Sequence, residues 1–192
     1  MNRNVFITGA TSGFGKAIAY KFAAQNDHLI LCGRRMERLL AIKNELETEY
    51  GVEVRVFSFD IQDKNQIDEA LNTWLASNPR IDILVNNAGL GYFGNVEDLP
   101  IEQWDEMMQT NVNGMFYCTR SAVPAMKKNG IGHIVNIAST AGLEGMPMVS
   151  GYCATKWAVK GFSESLWREL RDHKIKVTCV YPGSVKTDFF RN

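Results

Sequence analysis

The stretch "NVFITGATSGFG", residues 4–15, sets a short strand-forming run directly against a loop with three glycines. After "NVFIT" come Gly9, Gly13 and Gly15, and apolar residues at helical spacing follow over 16–24. A strand that turns through glycines into a helix reads as the opening of a strand–helix–strand unit. Glycines there let the backbone approach a bound group closely. The helix N-terminus adds free N–H groups and the positive end of its dipole, which suits a pyrophosphate. The spacing is G-x-x-x-G-x-G instead of G-x-G-x-x-G, but the physical argument carries over. An ordinary glycine-rich turn is the alternative.

The same alternation continues outward from this unit. Strand-like runs occur at 28–32 (HLILC), 54–59 (VRVFSF), 81–86 (IDILVN), 132–138 (GHIVNIA) and 176–181 (KVTCVY). Segments with helical spacing lie between them, at 36–49, 67–75, 104–126 and 152–170. Strands alternating with helices predict an α/β fold: a doubly wound parallel sheet covered on both faces, whose strands are apolar throughout. With no repeat, linker or low-complexity tract, residues 1–192 are expected to form a single domain. Asp63 reads as an N-cap, Pro100 suits a first helical turn, and Pro182-Gly183 breaks the chain after the last strand.

Composition narrows the function classes. The 192 residues are 45% hydrophobic, and 21 basic residues balance 21 acidic ones. That balance argues against nucleic-acid or membrane-surface partners, which call for a basic excess. No apolar run approaches a membrane span, and no secretory signal is evident, so a cytoplasmic location is expected. Cys32, Cys118, Cys153 and Cys179 are far apart without a CxxC pair, which argues against disulfides and against a metal site. His28, His133 and His173 have no partner pattern and read as structural.

Two further stretches carry chemistry. The second strand ends "LCGRR", with Arg34 and Arg35 where a NAD site would have a carboxylate. Guanidinium groups pair with a 2′-phosphate, so NADP is favoured, unless the arginines merely open a charged helix. In "GYCATKWAV", residues 151–159, Tyr152 and Lys156 are four apart and so share one helix face. Taken alone, the pair could as well be a solvated face.

In the order they occur, "TGATSGFG" (8–15), Asp60, "NNAG" (86–89), Asn111 in "QTNVNG", Ser139 in "NIASTAG", "YCATK" (152–156) and "PGSVKT" (182–187) resemble the short-chain dehydrogenase/reductase family. The resemblance spans nearly the whole chain. It implies that Asn111, Ser139, Tyr152 and Lys156 form the catalytic set. The implied cofactor contacts begin with the first loop: Gly9, Thr11, Ser12, Gly13, Phe14 and Gly15. Arg34 and Arg35 would meet the 2′-phosphate, and Asp60 with Ile61 the adenine. Asn87, Ala88 and Gly89 would lie under the ribose. Tyr152 and Lys156 contact the nicotinamide side, and Pro182, Gly183, Val185 and Thr187 its carboxamide.

Elementary chemistry agrees with that assignment. Reducing a carbonyl leaves alkoxide character on oxygen, and a positioned acid must supply a proton. A tyrosine with pKa near 10 needs help to serve in the reverse direction, and a nearby ammonium is expected to lower its pKa. Ser139 would donate to the developing oxyanion, and Asn111 would hold a water behind Lys156.

The reading that follows is an NADP-dependent oxidoreductase for an alcohol/ketone pair, similar to the 3-hydroxy acid and serine dehydrogenase branch. A 3-oxoacyl-carrier-protein reductase is the alternative, and a catalytically inactive nucleotide-binding module the alternative of another class. The segments 104–127 and 152–170 carry Phe116, Tyr117, Trp157, Phe162, Leu166 and Trp167, more apolar surface than one sheet face covers. With the resemblance, this implies a homodimer or homotetramer through these helices. Family members continue past the equivalent of Gly183, and an apolar last strand needs cover. The 192 residues are therefore expected to be the front part of a longer polypeptide, missing a C-terminal helix and last strand.

Overall fold

In the computed structural model, which describes residues 2–78 and 80–183, six parallel strands form one sheet in the order β3-β2-β1-β4-β5-β6. The strands are β1 (Asn4–Thr8), β2 (His28–Gly33), β3 (Val54–Ser58), β4 (Ile83–Asn86), β5 (Gly132–Ile137) and β6 (Ile175–Val180). Between them run α1 (Gly13–Ala23), α2 (Met36–Tyr50), α3 (Lys64–Ser77), α4 (Ile101–Met108), α5 (Met115–Asn129) and α6 (Ser150–Leu170). This is a doubly wound Rossmann-type sheet. The direction of winding reverses between β1 and β4, which leaves a crevice at their carboxyl ends.

The two faces bury separate cores. On one, Phe6, Ile30, Leu84 and Ile134 meet Leu71 and Trp74 of α3, Cys118 and Met126 of α5, and Leu166 of α6. On the other, Ile7, Leu31 and Val85 meet Ala19 and Ala23 of α1 and Leu39 and Leu46 of α2. A fully buried side chain such as Phe6 or Leu84 contributes about 1.5–3 kcal/mol over its exposed state.

Continuous burial, expected of every strand, holds for β1, β2 and β4. The edge strands β3 and β6, and β5 beside β6, alternate or are half-covered. Edge position is the cause, since a central strand has helices over both faces and an outer one does not. On the outer pair, His133 Nε2 and Thr178 Oγ1 meet across β5 and β6 at 2.8 Å.

Helix ends follow local chemistry. Asp63 caps α3 by accepting from Asn65 N and Gln66 N. Pro100 stands one residue earlier than expected, as the extended residue before Ile101. The run read as one helix over 104–126 is divided: a π-helical turn, Gln109–Gly114, joins α4 to α5. Such turns cluster at functional sites. Leu166, read with the outward apolar residues, lies in the core, while Phe116, Trp157 and Trp167 remain exposed. No helix among the described residues is long and apolar enough to cross a membrane.

Candidate active site

Thr8, the last residue of β1, organises the crevice. Its hydroxyl accepts from Asn87 N and Ala88 N at 3.0 Å each and faces Val85 O at 3.4 Å, tying the end of β4 to β1. Asn87 answers by donating its side-chain amide to Thr8 O and Gly9 O. Gly9 has φ +65°, and a Cβ there would come 2.8 Å from Ala88 Cα; one on Gly15 would stand 2.3 Å from Gly9 O. The loop can close on β4 only with glycine at both positions.

From this loop a continuous cleft of about 1240 Å³ runs along the sheet's carboxyl edge. Thr11, Ser12, Gly13 and Phe14 line one side. Arg34 and Arg35 line its far end, with Arg35 Nη2 donating to Thr11 Oγ1 at 2.9 Å. Asp60 and Ile61 border the cleft after β3. One Asp60 oxygen is already engaged, accepting from Gln62 N at 3.0 Å and capping the following turn. Asn87, Ala88 and Gly89 form the floor.

The opposite end gathers Ser139, Tyr152, Lys156, Pro182 and Gly183 around the same cavity. Ser139 stands two residues past β5; its hydroxyl accepts from Ala141 N at 3.2 Å and lies near enough to Tyr152 to hold the phenol's pKa down through a side-chain hydrogen bond. Pro182 is held alongside, its carbonyl accepting from Thr140 N at 3.0 Å. Lys156 is 3% exposed and donates to Ile137 O at 2.9 Å. Its ammonium lies 5.6 Å from the centroid of the Tyr152 ring.

Asn111 is brought near but stands behind the cleft. Within the π-helical turn, its Oδ1 accepts from Leu90 N, and its Nδ2 donates to Leu90 O and to Thr155 Oγ1. Both amide protons are committed, which leaves only acceptor capacity for a water. Val185 and Thr187 lie outside the described residues.

The electrostatics run against one expectation. Burial pushes the Tyr152 phenol up to about 12, and the hydrogen bond from Ser139 only partly opposes it. Burial pushes Lys156 down to about 8. Desolvation is the largest influence on both groups, and it disfavours the charged form of each.

Sequence reasoning missed Thr8 and Thr155, because a threonine gives no motif until its tertiary partner is known. It also missed Phe93, which lines the cleft together with Met146 and Val149 of the apolar segment 143–151. Tyr92, whose hydroxyl donates to Glu106, anchors the loop that carries Phe93.

Comparison with known proteins agrees with this architecture. The family model for short chain dehydrogenases matches residues 3–192. The NADP-dependent 3-hydroxy acid dehydrogenase YdfG of Escherichia coli is 39% identical over 191 residues, covering 98% of this chain and 75% of that protein. An alcohol dehydrogenase from Thermococcus sibiricus, solved with 5-hydroxy-NADP, superposes with a TM-score of 0.94 at 32% identity, over 98% of this chain and 79% of that one. Serine dehydrogenase from Escherichia coli superposes with a TM-score of 0.87 at 39% identity, over 94% and 82%. The chain belongs to the short-chain dehydrogenase family, and it is a dehydrogenase/reductase enzyme.

Proposed function

We propose that the protein is an NADP-dependent oxidoreductase that interconverts a small alcohol and its ketone, a 3-hydroxy acid among the candidate substrates. One observation carries this reading: the cleft that begins at the Gly13 helix start is the one that ends at Tyr152 and Lys156. A dinucleotide fits what the residues offer. The close-packed glycine loop suits a pyrophosphate, the arginines suit a 2′-phosphate, and Lys156 suits a ribose hydroxyl. A bound nicotinamide would supply or accept the hydride.

The chain's own residues manage the proton. With its pKa near 12, Tyr152 is protonated at neutral pH and suits donation to the carbonyl oxygen during reduction. Ser139, already hydrogen-bonded to the phenol, is placed to donate to the same oxygen as charge develops on it. Lys156 holds its charge against Ile137 O within hydrogen-bonding distance. A cofactor hydroxyl arriving there would give the ammonium a second acceptor.

The similarity to YdfG supports the 3-hydroxy acid reading. A second reading, reduction of 3-oxoacyl thioesters, is favoured by the exposed apolar side chains of Phe93 and Met146 at the mouth, which suit an acyl chain. Exposed Phe116, Trp157 and Trp167 on α5 and α6 support assembly into a homodimer or homotetramer through these helices.

NADPH oxidation against matched panels of 3-oxo acids, 3-oxoacyl thioesters and simple ketones tests the activity. Turnover highest with 3-oxo acids supports the first reading, and highest with thioesters the second. No turnover with any panel, despite NADPH binding, would leave a catalytically inactive nucleotide-binding module.

A further inference from the structure

Thr155 is completely buried in α6, between Tyr152 and Lys156. Its hydroxyl has one proton, donated to Tyr152 O at 2.8 Å. A lone pair of the same oxygen accepts from Asn111 Nδ2 at 3.0 Å. Asn111 in turn grips both backbone groups of Leu90, at 2.8 Å each. Three separate segments are thus joined through one hydroxyl: the end of β4, the π-helical turn, and the helix bearing the Tyr–Lys pair.

The junction stands beside the reacting groups. A Cβ built on Gly89 would lie 3.1 Å from Asn111 Oδ1 and 3.6 Å from Lys156 Nζ, so the amide and the ammonium flank one point. Gly89 also lines the cleft floor. Any rotation of α6 relative to β4 shifts Tyr152 and Lys156 relative to that floor.

We infer that Thr155 is a positioning residue: by linking Asn111 to the Tyr152 carbonyl, its hydroxyl fixes the rotation and depth of α6 and so the placement of Tyr152 and Lys156 over the cleft floor. The inference rests on the proposed reductase activity. A hydroxyl is required because its oxygen must accept from Asn111 while its proton is held by the helix; a side chain of equal volume without it leaves an Asn111 proton without an acceptor, whereas the Tyr152 carbonyl keeps its helical bond from Lys156 N.

The test compares Thr155→Val with Thr155→Ser, using the best ketone of the panel and NADPH. Thr155→Val is expected to lower kcat about tenfold or more, with the KM for NADPH within about threefold of wild type, since misplacement affects the transition state more than cofactor contacts. Thr155→Ser keeps the hydroxyl and should restore most of kcat. Equal kcat in Val and wild-type proteins, even with a lower Tm in the variant, would overturn the inference and assign Thr155 to folding alone. A serine variant as slow as the valine one would do the same. If Thr155→Val yields no folded protein, Thr155→Ala is compared with Thr155→Ser by the same ratio; failure of the valine and alanine variants to fold while the serine variant folds would make the hydroxyl a requirement of the fold and overturn the positioning role. Wild-type protein inert toward every carbonyl would instead remove the reductase reading, and this inference with it.

Discussion

Lys156 Nζ lies 5.6 Å from the centre of the Tyr152 ring and donates to the carbonyl of Ile137. The ammonium is buried with no ion-pair partner among the described residues, and burial lowers its pKa from the ordinary 10.5 to about 8. A buried cation of this kind weakens the fold that carries it.

From this comes a prediction about stability. Below about pH 8 the lysine is protonated both folded and unfolded, so its burial cost is present in full. Between about 8 and 10.5 the unfolded chain keeps the proton that the folded one has released, and stability rises with pH. Lys156→Met should therefore unfold at a higher temperature than wild type at pH 7 without cofactor, while losing turnover. Its advantage should shrink from pH 8 to 10. Thermal melts of both proteins across that range check this, and taking their difference cancels the titration of other groups.

Tyr152→Phe keeps the ring and removes the proton donor. Turnover should fall by about 10²–10⁴, the contribution typical of a positioned general acid. NADPH affinity, read by fluorescence titration, should stay near wild type. Retention of most of the turnover would remove Tyr152 from the acid role.

Cofactor choice is tested at the other end of the cleft. Replacing Arg34 and Arg35 together with Ala should weaken NADPH binding roughly 100-fold, the loss expected for charge-assisted hydrogen bonds to phosphate, and leave NADH binding little changed. The gap between the two cofactors should narrow as salt is raised. Equal losses for both would assign the arginines to the fold.

Thr8→Val removes the acceptor for Asn87 N and Ala88 N without changing volume. Asn87 N keeps Val85 O at 3.1 Å, so Ala88 N is the donor left unpaired; a buried N–H without a partner costs about 1–3 kcal/mol, and chemical denaturation should report a loss of that order. The same variant should bind NADPH more weakly, because Asn87 to Gly89 form the cleft floor.

Light scattering of the intact protein at micromolar concentration should give a dimer or tetramer. Phe116→Glu with Trp157→Glu, both outward-facing on α5 and α6, should release monomers. A wild-type monomer would refute assembly through these helices.

Strands and helices were legible in the sequence because each is a local pattern: β1 falls at 4–8 as read, and the other strands shift by a residue or two. The glycine loop, the arginines and the Tyr–Lys pair were legible for the same reason, since each has a fixed spacing. What escaped was tertiary. The π-helical turn at Gln109–Gly114 leaves no break in apolar spacing, and Leu166 cannot be told from its exposed neighbour Trp167 until α6 is seen against the sheet. The direction of the Tyr152 shift depends on how deeply the site is buried, which residue identity does not state.

The winding reversal between β1 and β4 also has a consequence for the order of events during synthesis. Thr8 emerges from the ribosome early, but Val5, Phe6 and Ile7 pair with Ile83, Leu84 and Val85, nearly eighty residues later. Pro182, which lies against Thr140, emerges later still. Contacts so distant in sequence form slowly, because the chain between them must be closed first. A growing chain can hold its first strand–helix–strand unit well before the cleft is complete, because Pro182 and Gly183, which line it, follow the sixth strand.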